Sequence, residues 1–222
     1  MAFSLIASYD NTTPTNVAGP LNTTGANLIV VTAQDYTSGV TLSDSYGNTW
    51  ILAVSQVGSV LQSYIYYCLN PTVGVGHTFT TTGSPYNGAP SVTAWSGAAT
   101  SSVLGQTNGN ATSTSTNQPG SVTPTVNGSL IVTGLYSSAS THSINSGFTI
   151  YSDDNANFAA AYLIQGTAGA INPTWTLSGA TSATSTIAVF NPATTSPRGL
   201  FLPSSLVGLG SGGSFFSDRL AA

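Results

Sequence analysis

The side chains that could perform acid–base, nucleophilic or metal chemistry are few in this chain. The aspartates outside the C-terminal segment are Asp10, Asp35, Asp44, Asp153 and Asp154, and there is no glutamate. The remaining ionisable or nucleophilic candidates are His77, His142, Cys68, Arg198 and Arg219. Lysine is absent. Any catalytic or metal site must be assembled from this short inventory.

This inventory argues against several reaction classes. Without lysine there is neither a P-loop nor a Schiff base, and one cysteine with two distant histidines cannot form a structural zinc site. No Gly-x-Ser-x-Gly sequence is present, so the nucleophile elbow of α/β-hydrolases is absent. Glycosidases need two carboxylates at a set separation, whereas most aspartates here lie beside turn residues. We expect a non-enzymatic protein without a cofactor, and a hydrolase is the weaker alternative.

The aspartates fit turns better than a metal site. Asp44 begins Asp-Ser-Tyr-Gly-Asn, where an aspartate side chain typically bonds the backbone two residues on. Asp153 and Asp154, followed by Asn155, form the densest acidic spot and are the calcium candidates, because hard cations prefer oxygen ligands. Their spacing matches no EF-hand loop, however, and acidic turns are common. We expect no bound metal.

The histidines and the cysteine have no evident partners in the sequence. His77 begins a strand-like run and His142 lies in a polar loop, so both are expected at the surface or at a sheet edge. Cys68 lies in the strand-like run Ser-Tyr-Ile-Tyr-Tyr-Cys-Leu, which predicts a buried and unreactive thiol.

Aromatic residues raise the possibility of glycan binding. Exposed rings can stack on sugar faces, and Tyr64, Tyr66 and Tyr67 cluster in one strand-like run. In a strand, Tyr64 and Tyr66 share a face with Cys68, and this indicates a core position. Trp95 and Trp175 also occupy strand positions and are expected in the core. No residue identifies a lectin site.

The elements that must position these residues are β-strands. Only 4% of the residues are charged, against roughly 25% in an ordinary domain. Thr, Val, Tyr and Trp favour strands, and the helix formers Lys and Glu are absent. Thr-Phe-Thr at 78–80 and Thr-Trp-Thr at 174–176 alternate as strands do, and Gly/Pro/Asn turns separate such runs. No segment is typical of an amphipathic helix.

The chain repeats itself once. Leu-Ile-Val occurs at 28–30 and again at 130–132, and the two alternating runs at 78–80 and 174–176 keep the same order. We predict a sandwich over 1–193 with related halves at about 25–97 and 127–192, and a Ser/Thr/Asn-rich linker over 98–126. A short half buries only about 60% of its surface. We therefore expect one eight- to ten-stranded, jelly-roll-like antiparallel β-sandwich in which each half supplies strands to both sheets. Two separate domains are the alternative.

Charge argues against nucleic acid and membrane partners. The net charge is −4 and the body has no lysine or arginine to contact phosphates. No apolar run approaches the ~20 residues of a membrane span. The start of the chain lacks a basic segment followed by a long apolar one, so no signal peptide is expected.

The C-terminal segment, 194–222, differs from the body. It holds both arginines and many apolar residues without helical periodicity, interrupted by glycine. We predict an extended arm that docks on a neighbouring subunit, because so many apolar side chains are not expected to stay in water. The docking candidates are Arg198, Leu200, Phe201, Leu202, Leu206, Leu209, Phe215, Phe216, Arg219 and Leu220.

Several of these motifs together resemble a known kind of domain. Gly-Ala-Asn-Leu-Ile-Val-Val at 25–31, Asp-Ser-Tyr-Gly-Asn-Thr-Trp at 44–50 and Val-Thr-Ala-Trp-Ser-Gly at 92–97 are similar to a β-sandwich domain of uncharacterised phage-encoded and bacterial surface proteins. The likeness covers about 3–192. The glycine-rich C-terminal segment resembles the terminal arms of phage virion proteins.

The resemblance implies a structural role and no catalytic residues. We expect a bacteriophage virion protein, a decoration or accessory protein of the head surface, assembled in the host cytoplasm. Its partners would be other virion proteins and its own copies, as a homo-oligomer for which a trimer is the leading expectation. A glycan-binding or adhesion module on a phage tail or bacterial surface is the alternative.

Overall fold

The computed structural model describes residues 2–12, 15–36, 39–82 and 90–194, which form sixteen strands and no helix. Within these ranges no helix is therefore available to cross a bilayer. The strands are β1 Ser4–Tyr9, β2 Val17–Asn22, β3 Leu28–Asp35, β4 Leu42–Asp44, β5 Ile51–Val57, β6 Gln62–Leu69, β7 Val75–Thr81, β8 Ser91–Ser96, β9 Leu104–Thr112, β10 Thr116–Asn117, β11 Ser129–Ser137, β12 His142–Ile144, β13 Thr149–Asp153, β14 Phe158–Gln165, β15 Trp175–Leu177 and β16 Ala183–Phe190. All pairings between these strands are antiparallel. The predicted all-β class is confirmed.

The strands form two inner and two outer sheets. Inner sheet 1 has the order β1-β8-β3-β6-β5, and outer sheet 1 has the order β2-β7-β4. Inner sheet 2 (β9-β16-β11-β14-β13) and outer sheet 2 (β10-β15-β12) repeat this arrangement eight strands later. The predicted relation between two halves is therefore confirmed.

Each half has the pairing pattern of a jelly roll. A jelly roll joins its first strand to the eighth, the second to the seventh and the third to the sixth. The first half does so through β1–β8, β2–β7 and β3–β6, and the second half does the same. The departure is the fifth strand, which pairs with the sixth instead of joining the smaller sheet.

Three sequence-based expectations need correction. The described residues form sixteen strands, and not the eight to ten that we expected. Each sheet draws its strands from one half only, so the prediction that each half supplies both sheets is wrong. The predicted linker over 98–126 contains β9 and β10. Strand β9 pairs with β16 through main-chain groups at a sheet edge, so it needs no apolar alternation. With these added strands each half is larger than expected. The inner sheet of each half also buries its second face against the inner sheet of the other half.

Apolar clusters lie between successive layers. Ile29, Val31 and Phe79 belong to the cluster between outer and inner sheet 1, and Ile131 and Trp175 to the matching cluster of the second half. Between the inner sheets lies a third cluster, composed of Phe3, Leu28, Val30, Ile65, Tyr67, Trp95, Ala98, Val103, Leu130, Val132, Ala188 and Phe190. The central strands β3 and β11 are buried along their whole length because both faces are covered. The predicted core positions of Trp95, Trp175 and Cys68 are confirmed.

The two ends of the inner interface differ in polarity. The end that contains Phe190 and Thr194, here called the arm end, is apolar. At the opposite end, here called the His142 end, hydroxyl groups join the halves. Ser63 Oγ lies 2.9 Å from Thr186 Oγ1, and Ser91 Oγ donates to Ser152 Oγ at 2.7 Å. These bonds satisfy buried hydroxyls that would otherwise oppose packing.

The outer strands of both inner sheets are irregular. Register shifts occur in β1 between Leu5 and Ala7, in β5 between Leu52 and Val54, and in β13 between Ile150 and Ser152. Strand β9 also gains a residue against β16. Bulges and edge lysines are alternative protections against unwanted strand pairing. A chain without lysine depends on the bulges.

Candidate functional site

Both histidines lie in buried polar clusters with hydrogen-bonding partners, so the expectation that they lack partners is wrong. His142 does lie at a sheet edge, because β12 is an outer strand of outer sheet 2, whereas β7 with His77 is the central strand of outer sheet 1. His77 is fully buried in β7, and the side chain of His142 at the start of β12 has no exposed surface. Each imidazole lies between a hydroxyl and a carboxylate. These two clusters are the candidate sites.

The His142 cluster has the order of a catalytic triad. Ser137 Oγ lies 3.0 Å from His142 Nε2, and His142 Nδ1 lies 2.8 Å from Asp153 Oδ1. Both distances fall in the range of a nucleophile–base pair and its orienting carboxylate. Three strands supply the residues, because Ser137 ends β11, His142 begins β12 and Asp153 ends β13.

The surroundings of Ser137 oppose nucleophilic catalysis. Its side chain is completely buried, and its Oγ already accepts the N–H of Ala139 at 3.2 Å. Acyl transfer needs an accessible nucleophile and donors aimed at the developing oxyanion. The nearby N–H groups of Ser138 and Ser140 instead donate to Ser182 O and Ser178 Oγ.

The adjacent depression does not open the triad. It encloses about 290 Å³ and is lined by 138–140 and 178–181, without Ser137, His142 or Asp153. The hydrogen bonds of the triad link the ends of β11 and β13 to the start of β12.

The acidic pair at 153–154 organises a turn. Asp153 Oδ1 also accepts the N–H of Asn155 at 2.8 Å. Asp154 Oδ1 accepts three N–H groups, those of Ala156, Asn157 and Phe158, at 2.7–3.0 Å. No group of three metal-ligating side chains forms among the described residues. The carboxylates shape the β13–β14 turn, and their positions do not support the calcium hypothesis.

The second histidine cluster lies at the arm end of the first half. His77 Nδ1 is 3.0 Å from Thr23 Oγ1, and His77 Nε2 is 3.4 Å from Asp44 Oδ1. The ring stacks on Phe79 with 4.2 Å between centroids and meets Tyr46 edge-on at 4.6 Å. Burial lowers the pKa of His77, although the Asp44 carboxylate partly opposes this shift. His77 is thus held neutral near pH 7.

Asp44 anchors the turn that follows β4, as predicted. Burial acts to raise its pKa, but hydrogen bonds from Tyr46 N, Asn48 N and Trp50 Nε1 outweigh burial, so the pKa of Asp44 is lowered. Trp50 Nε1 donates at 2.8 Å. In the second half Ile144 and Pro173 replace Asp44 and His77, since their strands align in the repeat. The cluster is specific to the first half.

The described body contains one thiol, and it is protected. Cys68 is 5% exposed, and burial first, then the Asp44 charge, raises its pKa to about 11. A thiol of this kind carries almost no thiolate at neutral pH. The prediction of an unreactive Cys68 is consistent with its position.

The predicted docking arm lies outside the described residues from 195 onwards, and all ten of its candidate residues fall in that part of the chain. The structure describes where the body ends. Thr194 borders an open cleft of about 500 Å³ with Ala2 and 126–128, and a second cleft of about 430 Å³ with 99–102. Because Phe190 pairs with Leu130 and Ala183 pairs with Ser137, Thr194 lies at the end opposite to the His142 cluster.

Comparisons of the chain with protein-family models, with curated proteins and with solved structures found no match. The resemblance to a phage and bacterial surface sandwich therefore stays a prediction.

Proposed function

We propose that the chain is a structural protein of a bacteriophage particle, a decoration or accessory protein of the head surface, held in place by docking between subunits. It is not an enzyme in this proposal. The observation that carries it is the internal use of the body's reactive groups. Ser137, His142 and Asp153 bond one another, and Cys68 and His77 are buried. Each of them serves the fold.

A body of this kind suits a particle exposed to changing media. Its described residues contain no lysine or arginine, and their ion contacts are His–Asp pairs. Surface ion pairs are the contacts that salt weakens most. The body should therefore keep its stability from low to high salt. Jelly rolls also occur in capsid proteins and in lectins, but this is an analogy of fold alone.

Contacts with partners would then depend on the surface and the arm. Low charge leaves little repulsion between copies, and exposed Ser and Thr can bond across a contact without burying an ion. The partners in this proposal are other virion proteins and further copies, with a homotrimer as the expected oligomer. The particle would be assembled in the host cytoplasm.

The glycan-binding alternative receives less support. Trp95 and Trp175 are fully buried, and Tyr64 and Tyr67 are also in the core. Among the described residues the exposed rings are those of Tyr36 and Tyr46. Tyr46 packs against His77 and donates its hydroxyl to Val75 O, so its ring is partly engaged.

Trypsin provides a direct test of arm-mediated docking. The chain has no lysine, so trypsin can cut only after Arg198 and Arg219 and leaves the body whole. Phage particles should be purified from a lysate of cells that produce the protein. Mass spectrometry of these particles should show many copies of the protein per particle. The free protein should bind stripped particles, and trypsin-cut protein should lose at least tenfold in binding.

Protein treated with inhibited trypsin is the control. Absence from particles, or strong binding of the isolated protein to a glycan array, would contradict the proposal. Unchanged particle binding after removal of 199–222 would show that the arm is not the dock.

A further inference from the structure

The outward edge of β9 carries two asparagine side chains that bond their own main chain. Asn108 Oδ1 accepts the N–H of Gly109 at 2.9 Å. Asn110 Oδ1 accepts the N–H of Ala111 at 2.9 Å. Among the described strands β9 pairs with β16 alone, and alternate N–H groups of such an edge strand point away from the ladder. These two N–H groups therefore lie outside the ladder and face the amides of their own asparagines.

Packing between the two halves requires glycine at position 109. A Cβ at this position would lie 2.8 Å from Gln56 Cβ of β5, whereas carbon atoms in contact are about 3.5–4.0 Å apart. Glycine has no side chain to shield its own main-chain nitrogen. The contact between β5 and β9 therefore imposes an Asn-Gly pair with an unhindered glycine nitrogen, and Asn108 is itself exposed to water.

We propose that Asn108 is a site of spontaneous deamidation, a modification that is independent of the proposed function and needs only water. The nitrogen of Gly109 loses its proton and attacks Asn108 Cγ. A bond forms between these two atoms, the Cγ–Nδ2 bond breaks, and Nδ2 takes up a proton and leaves as ammonia. Water then opens the succinimide ring at either carbonyl and leaves aspartate or isoaspartate. The net change is the replacement of –NH2 by –OH, without oxidation or reduction.

The geometry brings the reacting atoms within reach. Gly109 N lies 2.9 Å from Asn108 Oδ1, and a carbonyl carbon is about 1.23 Å from its oxygen. Rotation about the Cβ–Cγ bond, a torsion without sharp energy wells, turns the face of Cγ towards this nitrogen. The rotation breaks one exposed hydrogen bond, in which Asn108 Nδ2 donates to Ser121 O at 3.1 Å. Because the N–H of Gly109 lies outside the ladder, the attack leaves the pairing of β9 with β16 intact.

A second Asn-Gly pair, at 127–128, has the opposite arrangement. The N–H of Gly128 donates to Gln165 O at 2.8 Å, so this nitrogen is held in a hydrogen bond to another strand. Asn127 Oδ1 accepts the N–H of Ala168 at 2.8 Å, so the side-chain amide is held by the connection between β14 and β15. Asn127 is exposed like Asn108, and exposure therefore does not distinguish the two pairs. We expect Asn108 to react and Asn127 to be protected.

The modification changes one edge of the body. Deamidation of Asn108 replaces the amide donor by a carboxylate, which repels the carbonyl oxygen of Ser121. The isoaspartate product also adds one carbon to the main chain, and this disturbs the register in which Asn108 pairs with Ile187. A modified chain carries one more negative charge than the −4 of the intact chain. Modified chains therefore separate from intact chains in anion-exchange chromatography.

Peptide mapping of the full-length protein tests the proposal. Native protein and urea-unfolded protein are kept at pH 8 and 37 °C until half of Asn108 in the unfolded sample has reacted. Both samples are digested with pepsin at acid pH, where deamidation is slow, and mass spectrometry measures the conversion of each asparagine. In native protein Asn108 should react at least tenfold faster than Asn127 and Asn110, whereas in urea Asn108 and Asn127 should react within threefold of each other. The third Asn-Gly pair, at 87–88, lies outside the described residues and is assigned separately.

Two other results would overturn the proposal. If Asn127 reacts as fast as Asn108 in native protein, the hydrogen bonds around the two pairs do not control the reaction. If Asn108 reacts in urea and stays intact in native protein, the strand protects it. Neither result concerns particle binding, so the proposed function is tested separately.

A substitution provides an independent measurement. Asn110 has the same hydrogen-bond geometry as Asn108, and Ala111→Gly turns it into a further Asn-Gly pair. The conversion of Asn110 in native protein should then rise at least tenfold. Ala111 is exposed, and a circular dichroism melt verifies that the variant is folded. Conversion of Asn110 that stays as slow as in wild type would overturn the proposal.

Ala156→Gly is the matched control, because it places the same dipeptide in a different hydrogen-bond setting. The N–H of residue 156 donates to Asp154 Oδ1 at 3.0 Å, so this nitrogen is not free to attack the side chain of Asn155. Asn155 in this variant should react at least tenfold more slowly than Asn110 in Ala111→Gly. Equal rates at the two engineered pairs would show that glycine alone sets the rate, and this result would also overturn the proposal.

Discussion

The face-to-face packing of the inner sheets can be tested at Phe190. This residue ends β16, is fully buried, and packs its ring edge-on against Tyr67 of the other half with centroids 5.6 Å apart. Replacing a buried phenylalanine by alanine costs about 3–5 kcal/mol, through lost transfer energy and the cavity left behind. Because Phe190 contacts both halves, Phe190→Ala should lower the stability of the whole body.

That loss is large against the total stability of an ordinary domain, which is about 5–15 kcal/mol. For a chain of this size each kcal/mol shifts Tm by about 2–4 °C, so we expect a fall of roughly 6–20 °C. Urea unfolding followed by tryptophan fluorescence and by far-UV circular dichroism measures the loss. Trp95 reports on the first half and Trp175 on the second.

Two control variants make the result interpretable. Val75→Ala, at a 75% exposed position, should change the free energy of unfolding by no more than about 0.5 kcal/mol. Phe79→Ala removes a fully buried ring from the first half alone, and it should cost as much as Phe190→Ala. A loss for Phe190→Ala no larger than that for Val75→Ala would refute the packing of the two inner sheets.

Three further outcomes follow from the buried polar groups. Burial lowers the pKa of His77 from 6.5, so on acidification the unfolded chain takes up a proton at this histidine before the folded chain does. The free energy of unfolding should therefore decline as pH falls below about 6.5, and His77→Gln should remove that decline. An unchanged urea midpoint of the wild-type protein between pH 8 and pH 5 would contradict this expectation. Asp44, whose pKa is lowered from 3.8, adds a second loss as pH falls through and below that value. Cys68, with a pKa of about 11, should not react with a disulfide reagent at pH 8 until urea unfolds the chain, and rapid labelling of the native protein would place it at the surface. Ser137→Ala should lower the free energy of unfolding by about 1–3 kcal/mol, because it leaves His142 Nε2 and the N–H of Ala139 without their partner. The wild-type protein should not react with a fluorophosphonate probe. Labelling at Ser137 would show that the triad is accessible.

Composition and local spacing were sufficient to predict the all-β class, the repeat, the core tryptophans and the Asp44 turn. These features depend on neighbours in sequence or on one side chain's preference for burial, and both can be inferred from residue types. The Asp44 side chain bonds Tyr46 N, two residues on, as the local motif requires. The arm stays a prediction, because its residues lie beyond the described body.

Tertiary structure decided what depends on strand pairing over long separations. Ser137, His142 and Asp153 meet only because the end of β11, the start of β12 and the end of β13 come together, and no spacing rule links them. The linker prediction was wrong because β9 is held by main-chain bonds to β16, which side-chain patterns do not record. Whether the halves share sheets or stack was likewise undetermined by sequence, since both arrangements satisfy the same alternation. The stacked arrangement buries Leu28, Leu130 and Phe190 against one another, and only the three-dimensional register shows it.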